Sequence, residues 1–86
     1  MNRSSATLDE VKSVLVSTLG LDDRAPSLRA ETPLLGSLPE LDSLAVVQLV
    51  YALEDRFGLT INDDEVSADL FETLGTLADF IENRRR

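Results

Sequence analysis

The sequence of 86 residues has no cysteine, no histidine and no tryptophan, and Lys12 is its only lysine. Without cysteine there is no disulfide framework, no thiolate nucleophile and no Cys-ligated metal. Without histidine the usual general base and the commonest zinc ligand are missing too. Most catalytic chemistry is thereby excluded, so neither enzyme activity nor a metal site is expected. Long hydrophobic runs are also absent: nothing approaches the roughly 18 apolar residues that a membrane span needs. Met1 to Ala6 is polar, so no targeting signal is expected there. These absences, with the lack of cysteine, fit a cytoplasmic protein.

Positive charge is scarce. Sixteen Asp and Glu oppose eight Lys and Arg, leaving a net charge of −8. That balance argues against a nucleic-acid backbone or an anionic membrane as partner and favours a basic protein. A chain this short supports one hydrophobic core, so a single domain over residues 1–86, acting as a monomer, is expected.

Leu8, Val11, Val14, Leu15 and Leu19 recur at spacings of three and four and predict an amphipathic helix over Thr7–Leu19. Thr7 and Glu10 are spaced as a capping box, and Gly20 is a stop signal. From Leu21 to Leu41 three prolines and Gly36 interrupt any periodicity, which reads as a long first loop, either functional or pinned by Leu34, Leu35 and Leu38. Leu44 to Leu53 is apolar except at Gln48, and Glu54, Asp55 and Arg56 follow before Phe57 and Gly58. This predicts a helix over Ser43–Phe57 that is central or holds apolar surface in reserve, because it lacks a charged face. Beyond Leu59 and Ile61, the acids Asp63, Asp64 and Glu65 lead into a short helical segment through Val66, Ala68 and Leu70. A calcium loop starting at Asp63 fails, with Ala68 where the turn needs glycine and Leu74 where a bidentate glutamate is needed. Thr73 caps a last helix carrying Leu74, Leu77, Ala78 and Ile81 and closing on Arg84, Arg85 and Arg86.

The expected fold is all-α, a small four-helix bundle of three main helices plus a short third helix, with a long first loop. Its expected core is Leu8, Val11, Leu15, Leu49, Val50, Leu53, Phe57, Ile61, Leu70, Phe71, Leu74, Leu77 and Ile81. At about 1.5–3 kcal/mol for each large side chain buried, this core holds a marginal fold without metal or disulfide.

Chemistry concentrates at Asp42-Ser43-Leu44, where the loop becomes the apolar helix. A serine at a helix N-terminus meets unpaired amides and a dipole that favour an attached phosphate by about 0.3–1 kcal/mol. On the tripeptide alone, a plain helix cap is the simpler reading. The wider order of elements changes the balance: loop, Asp-Ser-Leu, apolar helix ending in acids and Phe57, an isoleucine loop, an acidic turn and a Thr-capped last helix. That order resembles the acyl carrier protein family, most clearly from Leu34 to Ile81.

The resemblance implies a carrier rather than a catalyst. A phosphopantetheinyl transferase would move 4'-phosphopantetheine from coenzyme A onto Ser43, and the arm's thiol would hold acyl groups as thioesters. A chain without cysteine would thus import its thiol with the cofactor. Asp42 matches the acid that engages the transferase and its magnesium, and Leu44 matches a partner-contacting leucine. Val47, Tyr51, Glu54 and Asp55 share a helix face with Leu44. By resemblance that face docks onto basic patches of acyl-transferring or condensing enzymes. Leu49, Val50, Leu53, Ile61, Val66 and Leu70 would line an acyl pocket; filling a closed core is the other use for the same residues.

The pattern departs from carriers of primary fatty-acid synthesis, which usually have glycine shortly before the motif and acids two and five residues after the serine. Leu41 precedes Asp42 here, and Ala45 and Gln48 occupy those two places. The departures favour a free-standing, specialised carrier of the kind accompanying polyketide, lipid-modification or surface-polysaccharide synthesis. A peptidyl or aminoacyl carrier and an unmodified acidic helical interaction domain are the rival readings.

Between Glu40 and Glu82 there are eleven acids against one base, Arg56. Such a stretch repels itself when folded. Millimolar magnesium or calcium is therefore expected to raise the melting temperature, and a melt unmoved by either ion would contradict this.

Overall fold

The computed structural model describes residues 5–85. Arg86, expected to help close the last helix, and the polar stretch from residue 1 lie at least partly outside that range. Three α-helices organise the chain: α1 (Ser5–Leu19), α2 (Ser43–Phe57) and α3 (Leu74–Arg85). Two 3₁₀ turns, Asp22–Ser27 and Asp63–Glu65, complete an all-α bundle. The only strand-like feature among the described residues is an isolated antiparallel bridge between Pro33 and Thr73.

Helix α1 packs against both α2 and α3. It contributes Val11 and Leu15, both fully buried, and Val14; Leu49 and Leu53 come from α2, and Leu74, Leu77, Ala78 and Ile81 from α3. Leu8 and Phe57, expected in the core, are only half-buried and pack against its edge. The Phe57 ring instead carries the Arg85 guanidinium over its face at 5.1 Å, a use of an aromatic that needs one side near solvent.

Helix α1 starts two residues earlier than the spacing predicts, so Thr7 lies inside the helix and not at its cap position. It is buried, and its hydroxyl donates to Glu82 Oε1 at 2.5 Å, tying the start of α1 to the end of α3. Gly20 and Gly58 end α1 and α2 in the left-handed region, at φ 69° and 65°. After α2 the Gly58 amide returns to the Glu54 carbonyl at 2.9 Å, satisfying a carbonyl the helix would leave open.

The first loop is less irregular than its prolines suggest. It contains the Asp22–Ser27 3₁₀ turn with Pro26 inside it, and Leu21, Leu28, Leu34, Leu38 and Leu41 all enter the core. Leu35 does not; it is 43% exposed. Directly after the Pro33–Thr73 bridge the Leu34 carbonyl accepts the Ser37 and Leu38 amides at 3.2 and 3.0 Å, so a tight turn begins with Leu34 inside and Leu35 outside. Backbone bonds from Leu34 to Glu72, Leu35 to Phe71, Leu74 to Thr32 and Gly75 to Ala30, at 2.7–3.2 Å, stitch the loop to the start of α3.

The short third element also differs from expectation. The helical turn falls on Asp63, Asp64 and Glu65 themselves, and Ser67 to Glu72 follow as successive three-residue turns. The reason is local: the Asn62 amide bonds Glu65 Oε1 at 2.9 Å, so the acids close their own turn. Thr73 caps α3 as predicted, accepting from the Thr76 amide at 3.0 Å.

Arg84 clasps this turn. It pairs with Glu65, donates to the Thr60 carbonyl at 3.0 Å and lies over the Phe80 ring at 4.8 Å. The hydrogen bond from Arg84, and then that from the Asn62 amide, hold the Glu65 carboxyl below its ordinary value of 4.5. A carboxyl depressed on folding stabilises the fold above its unfolded pKa and loses that effect as pH falls through the folded one. Glu65→Gln is expected to lower the melting temperature near neutral pH and to converge on the unsubstituted protein under acid. Melts that stay equally far apart down through the carboxylate range would contradict the clasp.

Candidate functional site

Helix α2 begins where the loop's last buried leucine, Leu41, hands over to Asp42 and Ser43. Asp42 takes extended backbone, φ −97° and ψ −175°, and its Oδ1 accepts the Ala45 amide at 2.8 Å. Asp42 is therefore the cap, and Ser43 is left as the first helical residue. Ser43 is exposed, and its hydroxyl has no hydrogen-bond partner among the described residues. The Ser43 and Leu44 amides precede the first helical hydrogen bond, Val46 N to Asp42 O at 2.9 Å, and stand at the positive end of the dipole. A free hydroxyl beside unpaired donors suits a serine phosphodiester.

The face running away from Ser43 is apolar and uncovered. Leu44 and Tyr51 are each 66% exposed and Val47 is 46% exposed, while Ala45, Leu49, Val50 and Leu53 bury the opposite face. The two faces account for the missing charged stripe of this helix: one fills the core and the other remains at the surface.

Glu54 and Asp55 are not equivalent on that face. Glu54 is half-buried, and its Oε2 accepts the Ile61 amide at 2.8 Å, so it anchors the connection from α2 toward the acidic turn. Asp55 is exposed and lines a groove against α1 with Ser13, Val14, Ser17 and Arg56.

The residues expected to line an acyl pocket sit mostly in the closed core. Leu49 and Leu53 have no exposure, Ile61, Leu70 and Val50 are buried, and only Val66 is half-buried. The surface hollow beside the serine is instead a groove of about 310 Å³ lined by Val46, Val47, Val50, Tyr51, Asp63 and Val66. Val46 and Asp63 escaped the sequence reading. Val46 lies one turn beyond Ser43 and four before Val50, a spacing that would have placed it there; no sequence signal placed Asp63.

With this geometry in view, the comparisons agree with it. Residues 9–81 match the phosphopantetheine attachment site family. The solution NMR structure of a holo acyl carrier protein from Nitrosomonas europaea superimposes with a TM-score of 0.82; it is 49% identical, and the match covers 88% of this chain and 92% of that one. The chain belongs to the phosphopantetheine-attachment family as an acyl carrier protein, a carrier rather than an enzyme, whose cofactor is covalent 4'-phosphopantetheine. Acyl carrier proteins work with phosphopantetheinyl transferases and acyl-handling enzymes.

Asp42→Ala removes the cap acceptor and leaves the Ala45 amide open, a loss of about 1 kcal/mol. Urea unfolding is expected to show a lower midpoint with an unchanged slope; an unchanged midpoint would mean the cap contributes nothing.

Proposed function

We propose that Ser43 carries the 4'-phosphopantetheine arm and that the protein is a specialised carrier of acyl groups. Supporting this is one observation above the rest: the Ser43 hydroxyl is exposed, uncommitted and fixed at the first residue of α2, because Asp42 has taken over the capping. When bound, the cofactor supplies a thiol that holds the acyl group as a thioester. The chain's own residues do the rest. Asp42 has a second carboxylate oxygen without a hydrogen bond, suited to a transferase-bound magnesium ion. Leu44, Val47 and Tyr51 form an apolar contact strip beside the serine, and Asp55 with the wider excess of acid attracts basic docking patches.

Glu54 belongs to that face by position, but its bond to the Ile61 amide gives it a structural duty as well. Docking through an apolar strip rimmed by charge produces fast encounters that weaken with salt, which suits a carrier handing cargo between enzymes. Ala45 and Gln48, uncharged where primary fatty-acid carriers usually have acids, support service to a specialised polyketide, lipid or polysaccharide enzyme set.

Intact-mass measurement after incubation with coenzyme A and a broad-range phosphopantetheinyl transferase tests the assignment. One arm is expected to add to the protein, and none to a folded Ser43→Ala variant. A constant mass for the unsubstituted protein, or modification that survives Ser43→Ala, would refute it.

A further inference from the structure

Arg24 and Glu40 form an ion pair between two parts of the long first loop. Arg24 is held firmly: its amide bonds the Leu21 carbonyl at 2.9 Å, its carbonyl accepts the Ser27 hydroxyl at 2.8 Å, and the Leu21 amide returns to Val16 in α1 at 3.0 Å. The arginine is thereby fixed to the end of α1. Glu40 lies just ahead of the cap residue Asp42, between buried Leu38 and Leu41, and follows Pro39, which has no amide to donate.

One Glu40 oxygen takes the Arg24 guanidinium; the other is sealed from solvent and has no hydrogen-bond partner. The pair is partly open to solvent, with the Arg24 side chain 42% and the Glu40 side chain 34% exposed, so the outer oxygen is hydrated with or without its cation. The sealed inner oxygen is different: without the guanidinium fixing the carboxylate it is left unpaired, and the segment shifts to let water reach it. The segment that would open runs straight into Asp42 and Ser43.

We propose that the Arg24–Glu40 pair clamps the strap ahead of α2 and thereby positions Ser43 for modification, which rests on Ser43 being the attachment residue. Both are positioning residues; neither bonds to Ser43. Because the harm comes from an uncompensated carboxylate, losing Arg24 alone is worse than losing both charges.

Two measurements test this in the full-length apo protein across R24A, R24K, E40Q and R24A/E40Q. The first is amide exchange at Leu41, Ala45 and Val46, whose amides are all hydrogen-bonded in the closed strap. The second is the kcat/KM for modification by a broad-range transferase with coenzyme A. R24A is expected to speed exchange at all three amides and to lower kcat/KM about fivefold. R24K, which keeps the cation, and E40Q are expected to stay near the unsubstituted protein, and R24A/E40Q to return both readouts toward it.

Unchanged exchange in R24A overturns the clamp. So does a double variant as slow as R24A, which would make Arg24 a transferase contact. Should R24A fail to fold, the double variant decides: the clamp requires it to fold with near-normal exchange, whereas a general structural need for Arg24 would leave it equally unfolded. Exchange needs no cofactor, so an unsubstituted protein that accepts no arm would overturn the Ser43 reading, while the exchange pattern would still judge the clamp.

Discussion

The structure turns on a division of labour between two adjacent residues. A helix N-terminus needs an acceptor for its first amides, and a serine placed there would ordinarily supply it. Here Asp42 does so, bonding the Ala45 amide, and Ser43 keeps its hydroxyl free at the start of a rigid rod. Were Ser43 the cap, the oxygen needed for a phosphodiester would be spent on the backbone. The acid before the serine therefore has a structural reason to be there, apart from any role toward a partner.

That rod is useful only if its start is held in place, and this requirement shapes the long first loop. Five leucines, Leu21, Leu28, Leu34, Leu38 and Leu41, anchor the loop in the core. Backbone bonds on both sides of the Pro33–Thr73 bridge join it to the beginning of α3. Helix α1, packed on both α2 and α3, completes the frame. The loop works as a strap whose last anchored residue, Leu41, adjoins the cap.

Helix α2 could be read from sequence to its ends, Ser43 and Phe57, because a cap residue, an apolar run, a charged exit and a left-handed glycine all agree on the same bounds. Where a single local signal stands alone, tertiary contacts override it. Thr7 had the spacing of a capping box, but its hydroxyl is taken by Glu82 in α3, a tertiary contact that no local pattern encodes. Leu35 shares its apolar signal with Leu34 and Leu38, yet it sits in the turn closed by the Ser37 and Leu38 amides on the Leu34 carbonyl, a turn whose place is set by a bridge between residues far apart in sequence. The groove beside the serine is partly legible: Val50 and Val66 are expected as acyl-pocket lining and Val47 and Tyr51 as docking face, while Leu49 and Leu53, expected either in that pocket or in a closed core, lie in the core.

The scarcity of positive charge takes on a different meaning once the pairs are located. Arg24, Arg84 and Arg85 pair with Glu40, Glu65 and Glu10, each joining segments distant in sequence. Arginine serves that purpose well, since its planar fork can hold a carboxylate, a carbonyl and an aromatic face together, as Arg84 does with Glu65, Thr60 and Phe80. These cations clip the fold together, and each offsets the one glutamate it holds rather than the acids elsewhere on the surface. What remains toward solvent beside α2 is an apolar strip within a negative field. The same few arginines thus hold the bundle closed away from the α2 face, where, among the described residues, the acids Asp55 and Asp63 have no arginine paired to them and the field stays negative.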